Sequence, residues 1–99
     1  MPAVTRIGDR DVDHCSSMTR AVGSPNVFAN DIAVSRQGDA NTEHEIPDSD
    51  DTCSNHSAGI ALGSTTVILN DARGIGRIGD GVSGCTSVAE GSPNVFAGG

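Results

Sequence analysis

Three times in this chain a Gly-Asp pair is followed, five residues after the Asp, by a side chain able to bind a metal. Arg6-Ile7-Gly8-Asp9 leads to His14, Arg36-Gln37-Gly38-Asp39 to His44, and Arg77-Ile78-Gly79-Asp80 to Cys85. Three equivalent loops can bring three ligands to one point on a pseudo-threefold axis. His56, twelve residues after His44, is the remaining histidine and the natural fourth ligand. A thiolate with three neutral imidazoles fills a closed tetrahedral zinc site and leaves no position for water or substrate. Such a site contributes folding energy instead of catalysis. Cys53, three residues before His56, competes for the fourth place, whereas Cys15 beside His14 is expected to point elsewhere.

The elements that hold these ligands repeat as well. Gly23-Ser24-Pro25-Asn26-Val27-Phe28-Ala29-Asn30-Asp31 returns as Gly63-Ser64-Thr65-Thr66-Val67-Ile68-Leu69-Asn70-Asp71, then as Gly91-Ser92-Pro93-Asn94-Val95-Phe96-Ala97-Gly98-Gly99. Each copy opens on a Gly-Ser turn, runs through a short β-favouring stretch and stops at a pair that tolerates positive φ. Ile32-Ala33-Val34-Ser35-Arg36 is the return strand into the next Gly-Asp. The third copy stops where its return strand is due, and Met1-Pro2-Ala3-Val4-Thr5-Arg6 has the composition to supply it. One domain, residues 1–99, of three circularly permuted repeats follows, closed by pairing of its two ends, which removes exposed sheet edges. The middle unit carries an extra polar, turn-rich stretch from Glu45 to His56, whose plainest reading is a solvated loop. No stretch has the period of a long amphipathic helix.

Composition agrees with a scaffold that needs a metal. Of 99 residues, 35% are apolar and the only aromatics are Phe28 and Phe96, so the core is thin. Thirteen glycines would also suit a disordered chain, but ligand-type residues at fixed offsets in a repeat argue for order. Three cysteines exclude a complete disulfide framework. A net charge of −7, concentrated between Asp39 and Asp51, disfavours nucleic acid and anionic lipid as partners. No secretory leader or bilayer-length apolar run is present, which points to synthesis in the cytoplasm without a signal peptide. The Gly-Asp pairs read as turns, with Gly left-handed and Asp bonding nearby backbone amides. Calcium at Asp9, Asp39 and Asp80 would need more oxygen ligands than each loop offers.

The three Arg-x-Gly-Asp segments, the Gly-Ser-x-x-Val-x-x-Asn turns, Pro2-Ala3 before Arg6 and the His, His, His, Cys set resemble the PAAR-repeat proteins. These tip the central spike of contractile phage tails and type VI secretion machines. The resemblance spans essentially the whole chain. It implies a small, mainly β, cone-shaped pseudo-threefold arrangement of short hairpins, with zinc near the apex on His14, His44, His56 and Cys85. It also implies a non-enzymatic role, with the broad base capping a trimeric β-helical spike, VgrG-like in bacteria or a hub spike in the phage baseplate. One copy per trimer, transient contact with a target membrane and delivery across the target envelope follow. An adaptor that docks a separate toxin effector, or a small zinc hydrolase, is the alternative. The chain departs from the family where Pro-Ala-Ala-Arg is degenerate (Ala33-Val34-Ser35-Arg36 and Gly74-Ile75-Gly76-Arg77) and where Asn-Asp replaces Asn-Gly. Those changes leave the ligands in place but would alter the base surface, and with it which spike is recognised.

Overall fold

The computed structural model describes residues 1–13, 16–47, 53–69 and 72–99. Strand-favouring residues come in runs of only a few between Gly, Asn and Asp, so the strands are short. The paired elements are β1 (Phe28–Ala29) with β2 (Ile32–Ala33), β3 (His44–Pro47) with β4 (Cys53–His56), and β5 (Gly81–Val82) with β6 (Thr86–Ser87). All three pairs are antiparallel. Single bridges between Val4 and Arg77, Arg6 and Val34, and Arg36 and Ile75 link three modules into a closed ring. The molecule is mainly β, pseudo-threefold and elongated, with extents of 40 × 24 × 22 Å.

A triangle of backbone hydrogen bonds lies where the modules meet. Thr5 N–H donates to Gly76 O at 3.0 Å, Gly76 N–H to Ser35 O at 2.8 Å, and Ser35 N–H to Thr5 O at 3.0 Å. Each of these residues immediately precedes the arginine of its Arg-x-Gly-Asp. A Cβ on Gly76 would stand 2.6 Å from Ile60 Cδ1 and 2.9 Å from Ser35 O, so this corner has room only for glycine. Below the triangle, Val4, Val34 and Ile75 pack with Ala29 and Ala97, flanked by Val27, Leu69 and Val95.

The hairpin end is built the same way three times. Val34 N–H bonds Val27 O at 3.1 Å, Ile75 N–H bonds Val67 O at 3.0 Å, and Val4 N–H bonds Val95 O at 2.9 Å. The third of these ribbons joins the two ends of the chain, with Ala3 opposite Phe96. Buried Ser24, Ser64 and Ser92 each accept two backbone N–H groups through Oγ, which explains the repeated Gly-Ser. Asn30 and Asp31 take φ of 55° and 64°, as a two-residue hairpin turn requires. The turn expected at Asn70-Asp71 lies outside the described residues. Beside it Ala72 holds φ 57°, a conformation that costs a non-glycine residue about 1 kcal/mol. Ala72→Gly is therefore expected to raise stability by roughly 0.5–1 kcal/mol in a denaturation titration.

Above the triangle, each Arg-x-Gly-Asp forms a clamp. Gly8, Gly38 and Gly79 take φ of 91°, 86° and 91°. The following carboxylate then accepts the arginine's own backbone N–H, at 2.9, 2.8 and 2.8 Å. This is the amide bonding the motif predicts. The same carboxylates also take the arginine Nε and Nη2, a fork-to-fork pairing in every module that a Gly-Asp turn alone does not require. Beyond the clamps, Ile60, Val82 and Val88 form a second small core, packed against Ala58 and Cys85.

Candidate metal centre

Past the second and third clamps the chain leads to the ligand-type residues His44, His56 and Cys85. His44 opens β3 and stands directly opposite His56, the last residue of β4, in the register His44↔His56, Glu45↔Asn55, Ile46↔Ser54, Pro47↔Cys53. Their twelve-residue spacing is thus the spacing of two residues facing each other across a ribbon. The stretch read as a solvated loop is this ribbon. Its polar composition and Pro47 hide the strand signal, because no apolar alternation marks a buried face. Cys85 enters from the turn joining β5 to β6, where its N–H bonds Val82 O at 3.0 Å.

The three side chains converge. His44 Nε2 lies 3.1 Å from Cys85 Sγ and 2.8 Å from His56 Nε2. All three ligand atoms fall within 4.8 Å of one another. His44 is buried, and its Nδ1 sits 2.7 Å from Thr42 O. That carbonyl can only accept, so Nδ1 carries the proton and Nε2 presents a lone pair to the cluster. One lone pair cannot serve both neighbours as an acceptor, whereas a cation between the three atoms satisfies all of them. Four-coordinate zinc spaces its N and S ligands about 3.3–3.6 Å apart. Movements of a few tenths of an ångström would bring the two short separations to that range. These residues fit a metal ion.

Of the four expected ligands, His44, His56 and Cys85 are brought together. His14 lies outside the described residues, as does Cys15. Cys53 stands opposite Pro47 in the ribbon, three positions from the His44–His56 pair.

Sequence reasoning overlooked the groups beneath the ligands. Asn41 Nδ2 lies 3.9 Å from Cys85 Sγ and donates to Asp11 Oδ2 at 3.0 Å. Asp11 in turn pairs with Arg20 Nη2 at 2.7 Å, and both side chains are completely buried. The repeat contains the clue. Two residues after each Gly-Asp stand Asp11, Asn41 and Val82, one position where the three modules differ sharply.

Burial pushes the Cys85 thiol above its ordinary pKa and the Asp11 charge adds to this, against the Asn41 hydrogen bond and the Arg20 charge. A metal binds the thiolate, so binding releases the thiol proton. Metal affinity is therefore expected to rise with pH, by about tenfold per unit for each proton released, while the pH stays below the thiol pKa. Chelator competition at pH 6, 7 and 8 measures the slope, and a flat profile would exclude the thiolate as a ligand.

No family model matches the chain, and a search of curated proteins gives no match. No helix among the described residues is long and apolar enough to cross a membrane. The fold and the cluster describe a small, mainly β protein with a His-His-Cys group able to hold a metal ion.

Proposed function

We propose that this protein is the metal-stabilised, non-enzymatic tip of a membrane-puncturing spike and caps a trimeric β-helical protein of a contractile tail or type VI secretion machine. The observation that carries the reading is the pseudo-threefold frame with two unlike ends. At the base, Phe28, Ile68 and Phe96 occupy equivalent positions opposite Ala33, Gly74 and Ala3. They are 58%, 50% and 51% exposed, large apolar side chains left uncovered in a threefold array. A trimer end presents three identical strand edges and is matched by one cap of the same symmetry. At the other end His44, His56 and Cys85 gather at the edge of a core of only Ile60, Val82 and Val88 among the described residues. There the ion is zinc, favoured by a mixed imidazole and thiolate set, with His14 as the fourth ligand. A metal crosslink added to so small a core lets a narrow point persist under force.

Co-expression with a trimeric β-helical spike, followed by native mass measurement, is expected to give one copy per trimer. Phe28→Asp and Phe96→Asp are each expected to weaken the complex about tenfold or more, the scale of burying a large apolar side chain. Three copies per trimer, or no complex with any trimeric spike, would defeat the reading. Hydrolytic chemistry would require a metal-bound water in place of His14. A His14→Ala variant that binds zinc as tightly as the parent would favour that alternative.

A further inference from the structure

We propose that Asn41 is a positioning residue of the metal centre. Its side-chain amide donates a hydrogen bond to the sulfur of Cys85, and the buried Asp11–Arg20 pair fixes that amide in place. The inference rests on the metal reading above.

The orientation of the amide is determined by its neighbours. Asn41 Oδ1 accepts Ala58 N–H at 2.9 Å, while Nδ2 donates to Asp11 Oδ2 at 3.0 Å. The opposite flip would set an oxygen against a carboxylate and an NH2 against an N–H. With one Nδ2 hydrogen on Asp11, the other is left for Cys85 Sγ at 3.9 Å. A contact that long is weak, suited to tuning how strongly the sulfur donates to an ion. Behind it, Arg20 holds Asp11 at 2.7 Å and donates from Nη1 to Asp39 O at 3.1 Å. A continuous polar path thus runs from the backbone of the second clamp to the ligand sulfur.

Packing does not call for this path. Arg20, Ile60 and Val88 are equivalent, since their N–H groups bond Asp9 O, Asp39 O and Asp80 O. Where the first module has Asp11 and Arg20, the third has Val82 and Val88, both buried. The same frame therefore accepts an all-apolar solution, which is often as stable as a buried ion pair or more so. Among the described residues, Asp11 Oδ1 and Arg20 Nε are buried without a hydrogen-bond partner, a further cost. The gain from the path lies at its end, on the sulfur. Groups that hydrogen-bond a metal ligand in this way typically change metal affinity 10–100-fold.

Two measurements test the assignment. In wild-type protein loaded with cadmium-113, one Asn41 side-chain amide proton should show scalar coupling to the metal through the Cys85 sulfur. Cadmium bound by Cys85 with no coupling to Asn41 would overturn the inference and leave the metal reading intact. Failure of cadmium to bind Cys85 would overturn both. In Asn41→Leu, zinc affinity by chelator competition should fall about 10–100-fold. The sulfur-to-metal charge-transfer band of the cobalt form should move to lower energy as the sulfur loses its donor. A structural role alone would not shift that band, so lower stability with band and affinity unchanged would overturn the proposal. If the variant fails to fold, the wild-type cadmium coupling decides.

Discussion

Cys85→Ala is expected to abolish metal binding and to melt the ligand end of the molecule. Elemental analysis should find about one zinc per chain in the parent and almost none in the variant. The effect is large because little apolar packing among the described residues holds that end. The second core is three residues, Ile60, Val82 and Val88, and the β3–β4 ribbon extends beyond it. Structural zinc is worth about 10–16 kcal/mol at neutral pH, comparable with the whole stability of a domain this size. His56→Ala should match Cys85→Ala, while Cys15→Ser should be nearly silent and Cys53→Ser much milder than His56→Ala. The chain has no Trp or Tyr, so amide hydrogen exchange is the readout of choice. Protection should be lost first in β3, β4 and the Cys85 turn, and later at the Thr5–Ser35–Gly76 triangle. A metal-free variant with parental protection throughout would show that the cluster has no structural role.

Asp39→Ala is the second large effect. The Asp39 carboxylate is 1% exposed and takes Arg36 Nε on Oδ2 at 2.8 Å and Arg36 Nη2 on Oδ1 at 3.1 Å, with Arg73 Nη1 also on Oδ1 at 3.0 Å. Removing one member of a buried ion pair costs about 3–5 kcal/mol, because the remaining charge is buried uncompensated. Asp9 and Asp80 make the same clamp at 13% and 10% exposure, with one arginine each. Their alanine variants should lose clearly less, since water screens what remains. Urea midpoints for the three variants give the ranking. Equal losses at Asp9, Asp39 and Asp80 would mean that the backbone turn, not the buried charge, sets the energy.

Much of this architecture was legible in the sequence because it repeats. Ser24, Ser64 and Ser92 share one role, and so do Gly8, Gly38 and Gly79, so a single physical reading of one copy carried to the others. Ring closure through Ala3 and Phe96 was legible for the same reason: the third repeat lacked a strand that the N-terminus could supply. What stayed hidden lies where the modules differ or where side chains meet across them. The Asp11–Arg20–Asn41 path joins two modules, and no spacing within one copy reveals it. The β3–β4 ribbon was obscured because its strands owe their pairing to backbone bonds and have no apolar alternation. The fork between Arg36 and Asp39 was hidden behind a turn motif that already accounted for both residues. At the site, three of four anticipated ligands meet: repeat register pointed to His44 and Cys85, and His56 followed only as the remaining histidine, with no short metal motif behind any of them.

The closed triangle of Thr5, Ser35 and Gly76 also governs how the chain reaches its final form. Each corner donates to a different module and accepts from the remaining one, so no module can complete its bonds alone or in a pair. The last side forms only when Ala3 finds Phe96 and Val4 finds Arg77, both pairs more than two thirds of the chain apart. The entropy of closing so long a loop precedes most of the reward, which places the protein among slow folders for its length. It also makes assembly all-or-none, because a ring missing one side leaves two unsatisfied edges instead of a stable intermediate. Once shut, the same arrangement resists peeling, since the segments around Val4 and Val95 grip each other.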